Sequence, residues 1–284
     1  NDHFEFSGRL SRINSDGYVD RARADLDAYF LQGVYKDENT LVKALLFGGH
    51  EITYQAWNGI TAEELETNRT FNSAGLYTDE NGNTQFYDNE VDNYKQDHFQ
   101  LHWNENLSPY WSTHLALHYT RGRGFFEQYR EDEDFGDYGL EPIVVGGETV
   151  NSTDLIRRRW LDNDFYGTVF SATYTNDDLK LILGGGYNEY KGDHFGEIIW
   201  ARYASDSEIR DRYYDDNSTK TDFNSYAKAN YQLNQKWSIF GDLQYRRVGY
   251  QANGEDTGLV DDTFNFFNPK AGVTFDLNRN NNFY

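Results

Sequence analysis

The sequence has little or none of several residue types, and each absence excludes a class of protein. Its 284 residues contain no cysteine, no methionine and only 3 prolines. Without cysteine there is no disulfide framework, no thiolate zinc site and no cysteine nucleophile. Lys and Arg number 26 against 47 Asp and Glu, a net charge of −21, which argues against binding to nucleic acid because its phosphates are negative too. No apolar run approaches the roughly 18 residues of a membrane-spanning helix.

Aromatic residues and glycine are abundant instead. The chain has 23 Tyr, 20 Phe, 6 Trp and 25 Gly. Disordered acidic chains are poor in aromatic residues, so the composition excludes that class as well. A polar chain rich in Tyr and Gly is typical of β-structure.

Apolar and polar residues alternate over unusually long stretches. In 109–121 the odd positions carry Trp111, Leu115, Leu117 and Tyr119, and the even positions carry polar or small residues. Alternation of this kind predicts strands with one apolar and one polar face. It recurs often enough to predict ten antiparallel strands, at about 2–12, 25–35, 40–56, 91–103, 109–122, 160–175, 178–190, 222–233, 236–250 and 264–277. Soluble strands are usually about half as long.

The predicted connections alternate between short and long. The short ones carry Asn or Asp turn residues and lie at Lys36–Asn39, Asn104–Ser108, Asn176–Asp178, Asn234–Gln235 and Asn278–Asn282. The long ones lie near 13–24, 58–90, 124–158, 192–221 and 252–263. Long strands with short turns at one end and long loops at the other define an all-β transmembrane antiparallel β-barrel. A soluble β-sandwich is the alternative, but it would not sort its loops by length.

The spacing of aromatic residues fits a membrane. Trp111 and Tyr119 lie eight residues apart on the apolar parity, as do Trp237 and Tyr245. At about 3.3 Å per residue and a tilt near 40°, eight residues span roughly 20 Å, close to the height of a lipid-facing band between its aromatic girdles.

We expect residues 1–284 to be one barrel segment, with extracellular loops near 58–90, 124–158 and 192–221. The loops at 58–90 and 124–158 are large for a barrel of ten strands, and Phe283 and Tyr284 resemble the opening of an eleventh. Because a barrel closes without a free edge, we expect this segment to come from the middle of a larger barrel.

Four stretches resemble the barrel domain of TonB-dependent outer-membrane receptors. They are residues 12–21, 47–59, 87–98 and 267–273, and the likeness spans nearly the whole chain. The resemblance implies a 22-stranded barrel, an N-terminal plug and energy coupled from the inner membrane through TonB. This sequence contains no plug, no TonB box and no last strands of such a barrel.

The residues that suit a ligand lie in the predicted loops, where rigid scaffolds usually present binding groups. The candidates for ligand binding are Trp57, Tyr77, Tyr87, Arg121, Arg123, Phe125, Phe126 and Tyr129, with Phe86, Trp200 and Tyr203 as further aromatic candidates. Aromatic rings with a few Arg side chains suit an anionic, ring-bearing chelate. We expect the loops 58–90 and 124–158 to close on one ligand from adjacent sides, with the Arg pair beneath them. Packing within surface loops is the alternative role for each residue.

Two other arrangements could hold a metal. With a turn centred near residue 106, His98 and His114 would be neighbours on adjacent strands, although ordinary polar wall residues are the commoner explanation. The loop carboxylates Asp132, Asp134, Asp137, Asp215 and Asp216 would suit Ca²⁺, or lipopolysaccharide bridged by divalent cations. We predict no resident cofactor, no committed metal site and, because no nucleophile–base pair or phosphate loop is present, no enzyme activity.

The leading functional hypothesis is a receptor in the outer membrane of a Gram-negative bacterium that imports a scarce metal chelate (a siderophore, haem or cobalamin). Its expected partners are the chelate, the TonB complex through a plug, membrane lipid and lipopolysaccharide. The alternatives are a glycan or peptide importer that works with a surface lipoprotein, and a passive porin or structural barrel.

Overall fold

The computed structural model describes residues 2–255, 258–278 and 281–284. Its strands are β1 (Phe4–Ser15), β2 (Ala24–Lys36), β3 (Thr40–Tyr54), β4 (Leu76–Thr78), β5 (Thr84–Phe86), β6 (Val91–Asn106), β7 (Trp111–Asp134), β8 (Ile143–Val145), β9 (Glu148–Val150), β10 (Ser152–Thr175), β11 (Leu179–Ala201), β12 (Arg212–Gln232), β13 (Trp237–Gly254), β14 (Gly258–Asn278) and β15 (Asn281–Phe283). A short helix, α1, spans Ala62–Thr67, and a 3₁₀ turn spans Phe135–Tyr138. Within the part of the chain described, no helix is long and apolar enough to cross a membrane.

Eleven of these strands form one antiparallel sheet whose order follows the chain, β1-β2-β3-β6-β7-β10-β11-β12-β13-β14-β15. The pairs β4–β5 and β8–β9 are small separate hairpins. All ten predicted strands are present, and β15 pairs with β14. The transmembrane all-β fold predicted from the alternation is therefore confirmed.

The short turns form as their residue types predict. At the β2–β3 turn the Asp37 carboxylate accepts hydrogen bonds from the backbone N–H groups of Asn39 and Thr40, at 2.9 and 2.8 Å. The side chains of Asn176 and Asn234 do the same at the next turns of this kind. Such Asx turns give the chain a tight reversal without a long loop. The predicted turn at 278–282 includes residues 279 and 280, which lie outside the described residues.

The sheet has two faces of opposite character, which we call the outer face and the inner face. The outer face carries Leu117 and Leu243, and the inner face carries His118 and Gln244. One outer row reads Gly8–Leu31–Leu46–Phe99–Tyr119–Tyr166 across β1, β2, β3, β6, β7 and β10. In a membrane barrel the apolar face meets lipid and the polar face meets the lumen. Large apolar side chains are therefore expected to be exposed on the outer face of the sheet.

The strands extend well beyond the predicted ends. Strand β7 runs to Asp134 rather than 122, β10 begins at Ser152 rather than 160, and β11 and β12 reach Ala201 and Arg212. The predicted loops 124–158 and 192–221 are therefore too long, and the connections are 135–151 and 202–211. Above the aromatic residues both faces of the sheet meet water, so side-chain alternation fades while the backbone ladder continues. The sequence pattern follows the side chains and misses this continuation.

Two hydrophobic clusters lie at the upper end of the strands, which means the end away from the short turns. The first cluster packs the connection 135–151 against the inner face and consists of Phe135, Tyr138, Leu140, Leu155 and Ile198. The second packs the connection 55–90 against the outer face and consists of Tyr54, Ala74 and Val91. These clusters hold the two longest connections against the sheet on opposite sides.

Candidate ligand site

Above the membrane-spanning part, the inner face carries a cavity of about 550 Å³. It is lined by Glu51, Thr53, Asp92, Tyr94, Gly124, Phe125, Phe126, Arg159, Trp160, Leu161, His194 and Tyr214. Strand parity places all of these on the inner face except Phe125 and Trp160, which border the cavity from the outer face. The register brings these together from six strands, because Phe126 pairs with Asp92 on one side and with Arg159 on the other. Gly196 then joins Arg159 to Tyr214. We call this the inner cavity.

Two glycines keep the inner cavity open to its aromatic walls. A Cβ atom at Gly124 would overlap the backbone of Asn93 and Tyr94, and one at Gly196 would overlap the rings of Tyr213 and Tyr214. Because Gly124 and Gly196 have no side chain, the Tyr94 ring can lie close to Gly124, and the rings of Tyr213 and Tyr214 can lie close to Gly196. Close approach of this kind is a common reason for glycine inside a strand.

Arg159 lies between two aromatic rings in the cavity wall. Its guanidinium carbon is 5.8 Å from the centre of the Phe126 ring and 5.1 Å from that of Tyr214. Its Nε donates a hydrogen bond to the Tyr214 hydroxyl at 3.1 Å. Trp57 approaches Phe126 edge-on, with ring centres 6.3 Å apart. The cavity therefore combines a fixed cation with aromatic faces, a combination that suits planar and anionic groups.

The opposite wall is acidic. Asp92 lies opposite Thr53 and diagonal to Glu51, which lies opposite Tyr94. Burial together with the Glu51 charge raises the pKa of Asp92 to about 6. The inner cavity thus presents a cation on one side and two carboxyl groups on the other. It can accept a ligand that carries both anionic groups and hydrogen-bond donors.

The connection 135–151 packs against the inner face of the sheet. Its contacts lie one row of paired residues farther from the short turns than the inner cavity. Glu133 accepts a hydrogen bond from the Tyr138 hydroxyl at 2.5 Å, and Arg157 donates to the same hydroxyl at 2.8 Å. Arg157 also contacts Gln128. Burial and the bond to Glu133 raise the pKa of Tyr138, so this hydroxyl stays a donor. The network fixes the connection above the cavity.

Beyond Trp57, the connection 55–90 lies on the other side of the sheet. Glu127, which is 1% exposed, accepts hydrogen bonds from Tyr87 at 2.5 Å and Asn89 at 2.6 Å and pairs with Arg158 at 2.7 Å. All these contacts lie on the outer face, since Glu127 has the parity of Leu117. The rings of Tyr77, Tyr87 and Trp200 surround Tyr129 at 4.4, 6.0 and 6.1 Å between centres. These aromatics dock the connection onto the outside of the sheet.

Arg121 and Arg123 also lie on the outer face, where carboxylates neutralise them. Arg121 pairs with both Asp162 and Asp164, and Arg123 with Asp162. The expectation that this Arg pair lies beneath two loops closing on one ligand is therefore wrong. The register places each Arg directly opposite an Asp of β10.

The eight predicted ligand residues consequently divide between the two faces. Phe126 lines the inner cavity, and Trp57, which is 60% exposed, contacts the Phe126 ring edge-on. The remaining six, on the outer side, are Tyr77, Tyr87, Arg121, Arg123, Phe125 and Tyr129, and of these Phe125 also borders the inner cavity. Phe86 lies under the Arg21 guanidinium, and Tyr203 packs against the first hydrophobic cluster. Ligand binding by the eight residues stays a prediction, but the structure does not bring them to one place.

The prediction that His98 and His114 are cross-strand neighbours is wrong, because the register of β6 and β7 is shifted from the predicted one. His98 lies opposite Thr120, and His114 lies opposite Asn104, because the turn is centred near residue 109 rather than 106. The rings that do meet are His102 and His114, 6.0 Å apart.

The loop carboxylates proposed for Ca²⁺ have protein partners or lie apart. Asp132 accepts from Ser152, Asp134 accepts from the N–H of Gly136, and Asp215 pairs with Arg212. Over residues 2–255, 258–278 and 281–284, no three His, Asp or Glu side chains are arranged to hold a metal ion. A loop-bound Ca²⁺ therefore has no support from geometry and stays an untested prediction.

Most residues that line the inner cavity were missed by the prediction from sequence. Glu51, Asp92, Arg159 and Tyr214 were not candidates, because they fall in strands or in segments assigned to loops. The signal that identifies them is parity. Continuing the alternation of 109–121 upward puts Phe126 on the polar face and Phe125 on the apolar one.

No known family model matches the sequence, and no curated protein matches it. Among solved structures, the unliganded ferric citrate transporter FecA is similar, with a TM-score of 0.63, 12% identity, and coverage of 98% of this chain and 38% of that one. The open form of the ferric-catecholate import receptor Fiu from E. coli K12 has a TM-score of 0.59 and 10% identity, over 99% of this chain and 49% of that one. The copper transporter OprC has a TM-score of 0.60 and 14% identity, over 97% and 39%.

The chain thus spans less than half the length of each of these structures. At such low identity the likeness establishes the fold and leaves the ligand open. The similar proteins are named as transporters and an import receptor. The chain has the fold of part of the barrel domain of TonB-dependent outer-membrane receptors.

Proposed function

We propose that this chain belongs to a receptor in the outer membrane of a Gram-negative bacterium that imports a metal chelate such as a siderophore, haem or cobalamin. The observation that carries the proposal is the inner cavity, which lies above the membrane-spanning part and opens to the lumen side. The similar structures support it, because they are named as a ferric citrate transporter, a ferric-catecholate import receptor and a copper transporter.

The chemistry of the inner cavity suits a chelate. The rings of Tyr94, Phe126 and Tyr214 offer faces for flat or conjugated groups. Arg159 favours the anionic oxygen donors that hold a metal. Glu51 and Asp92 would accept hydrogen bonds from amide, amine or hydroxyl groups at the opposite end of the ligand. A receptor of this kind would work with the TonB complex through a plug.

Phe125 and Phe126 provide a matched pair of variants for the test. They are adjacent and chemically identical, and both border the inner cavity. The register places the Phe126 side chain on the inner face, whereas the Phe125 ring lies on the outer face against Trp160, with ring centres 4.6 Å apart. In the full-length protein, purified in detergent, Phe126→Ala should weaken chelate binding at least tenfold, or about 1.4 kcal/mol. Phe125→Ala should leave the affinity within about twofold.

The titration uses ferric citrate, a ferric catecholate, haem and cobalamin, followed by intrinsic tryptophan fluorescence. Equal losses in both variants would show that the effect is structural. Binding of an oligosaccharide or peptide in place of every chelate would support the alternative importer. Equal affinity of Phe126→Ala and the parent protein would place the ligand elsewhere.

A further inference from the structure

Two carboxyl groups of the inner cavity have no partner in the sheet. Asp92 lies opposite Thr53, and Glu51 lies opposite Tyr94 on the same pair of strands. Over residues 2–255, 258–278 and 281–284, neither carboxyl group accepts a hydrogen bond or pairs with a cation. Both side chains are on the inner face, so they are turned toward a ligand in the cavity rather than toward lipid. We call Glu51 and Asp92 the carboxyl pair.

Carboxylates elsewhere in the upper part of the sheet do have cationic partners. Glu127 pairs with Arg158 at 2.7 Å, and Asp154 pairs with Arg202 at 2.9 Å. Such a partner offsets the cost of removing a carboxylate from water. The carboxyl pair has no such compensation within the part of the chain described, and it is therefore able to bind a cation that the sheet does not supply.

Burial and repulsion within the carboxyl pair favour a cation beside it. Asp92 is half-buried, and the Glu51 charge lies close enough to disfavour its ionised form. A positive group between the two carboxylates would stabilise both charged forms. Residues at diagonal positions on adjacent strands have Cβ atoms about 7–8 Å apart, and a group that donates hydrogen bonds of about 2.8 Å can bridge that gap.

The carboxyl pair suits an organic ammonium better than a metal ion. Ca²⁺ takes about six to eight oxygen ligands, and in the described part of the chain no three His, Asp or Glu side chains are arranged to hold a metal. An ammonium group carries three donors, so two carboxylates and one further acceptor satisfy it. Thr53 lies opposite Asp92 and lines the same cavity, so its hydroxyl is available as the third acceptor.

The opposite wall of the cavity carries the cation Arg159. Asp92, Phe126 and Arg159 follow one another in a single cross-strand row. At about 4.8 Å per strand, the two ends of this row are about 10 Å apart. The Phe126 ring lies between them, and the hydroxyl of Tyr214 holds Arg159 in place. A molecule that satisfies both walls therefore has a negative and a positive end about 10 Å apart, with an apolar stretch across Phe126.

We propose that the inner cavity selects metal chelates that carry a protonated amine on a flexible arm. The carboxyl pair would hold the ammonium group, and Arg159 would hold oxygen donors around the metal. This inference rests on the proposed function, since it requires that a chelate binds in the inner cavity. It makes Glu51 and Asp92 specificity-determining residues, because a chelate with a neutral or negative group at that end would leave both carboxylates unpaired and lose affinity.

Ferrioxamine B and its N-acetyl derivative are matched probes for the carboxyl pair. Both hold iron through the same hydroxamate groups, but acetylation removes the positive charge of the terminal amine. Each is titrated into the full-length protein in detergent and followed by tryptophan fluorescence. The test variant is Glu51→Gln with Asp92→Asn. The control, Asp261→Asn with Asp262→Asn, removes the same number of charges from β14, which does not line the cavity.

The parent protein and the control should bind ferrioxamine B at least about tenfold more tightly than the acetylated probe. The test variant should bind the two probes within about twofold of each other. It should also bind the acetylated probe no more weakly than the parent does, which shows that it is folded.

Equal affinities for the two probes in the parent protein would overturn the inference and leave the proposed function intact. A preference for ferrioxamine B that survives in the test variant would do the same. Failure to bind either probe while ferric citrate, a ferric catecholate, haem or cobalamin binds would also overturn the inference alone. Failure of every chelate to bind would contradict the proposed function itself.

Discussion

The lower and upper halves of the same strands are stabilised by different surroundings. In the lower half the large apolar side chains are on the outside, where Leu117 is 45% and Leu243 is 53% exposed. In the upper half they are inside small cores, where Leu155 and Phe135 are 0% and 1% exposed. One continuous ladder of backbone hydrogen bonds joins the two halves. The lower half depends on lipid as its apolar solvent, and the upper half packs as a water-soluble protein does.

The largest effect should come from the core of the upper half. Leu155→Ala would leave a cavity beneath Phe135 and Ile198, and such changes cost about 2–5 kcal/mol. Hydrogen exchange should show faster opening of 135–151, while the amides of 111–121 keep their protection. Val144→Ala, at an exposed position in the middle of β8, should change stability by about 0.5 kcal/mol or less. If the Leu155 variant opened both halves together, they would form one cooperative unit.

A second prediction concerns the lower half. Leu243→Arg puts a charge on the lipid-facing side near mid-bilayer and should cost about 2–4 kcal/mol. Gln244→Arg, one residue along on the lumen side, should cost far less. Refolding titrations into lipid vesicles give both values. Equal costs would mean that the two faces are wrongly assigned. Ala116 is a poorer control than Gln244, because its side chain is buried.

The same division between halves explains how far the sequence could predict the fold. Alternation in 109–121 and 236–250, with Asx turns at Asp37, Asn176 and Asn234, predicts the ten strands and their order. It works in the lower half because lipid and lumen impose opposite polarity on the two faces. Past Tyr119 that constraint ends, so the strand ends at Asp134 and Ser152 were not predictable from alternation.

The candidate site was predicted only in part, for a related reason. Residue type alone suggests Phe125, Phe126, Arg121 and Arg123 equally, whereas register separates them onto two faces. The Asp162 and Asp164 partners of the Arg pair lie more than thirty residues away in sequence, so no local pattern shows the neutralisation. Parity does distinguish Phe126 from Phe125.

A smaller effect is expected from pH on the connection 55–90. Burial raises the pKa of Glu90 from 4.5 to about 7, although the N–H of Tyr129 donates to its carboxylate at 2.9 Å. A carboxyl group whose pKa is raised on folding binds more protons in the folded state, so stability falls as pH rises from 4.5 to 7. The free energy that holds this connection against the sheet should therefore fall by up to about 1–3 kcal/mol between pH 4.5 and pH 7.

The pH effect can be measured by hydrogen exchange at pH 5 and pH 8, corrected for intrinsic rates, at the amides of Gln55 and Tyr129. The N–H of Gln55 bonds to the carbonyl of Glu90 at 2.8 Å, so both amides report on this contact. Glu90→Gln should remove the difference between the two pH values. Stronger protection at pH 8 in the parent protein would reverse the sign and contradict the assignment to Glu90.

The central claim is that the inner face of the upper half holds the ligand while the outer face does not. Because the chain has no cysteine, single cysteines at Phe125 and Phe126 can be labelled on intact cells with a membrane-impermeant maleimide. We predict that Phe126→Cys is labelled on cells without ligand and protected when the ferric chelate that the parent protein binds is added, whereas labelling of Phe125→Cys is unaffected by the chelate. Protection of Phe125→Cys, or of neither residue, would contradict the account.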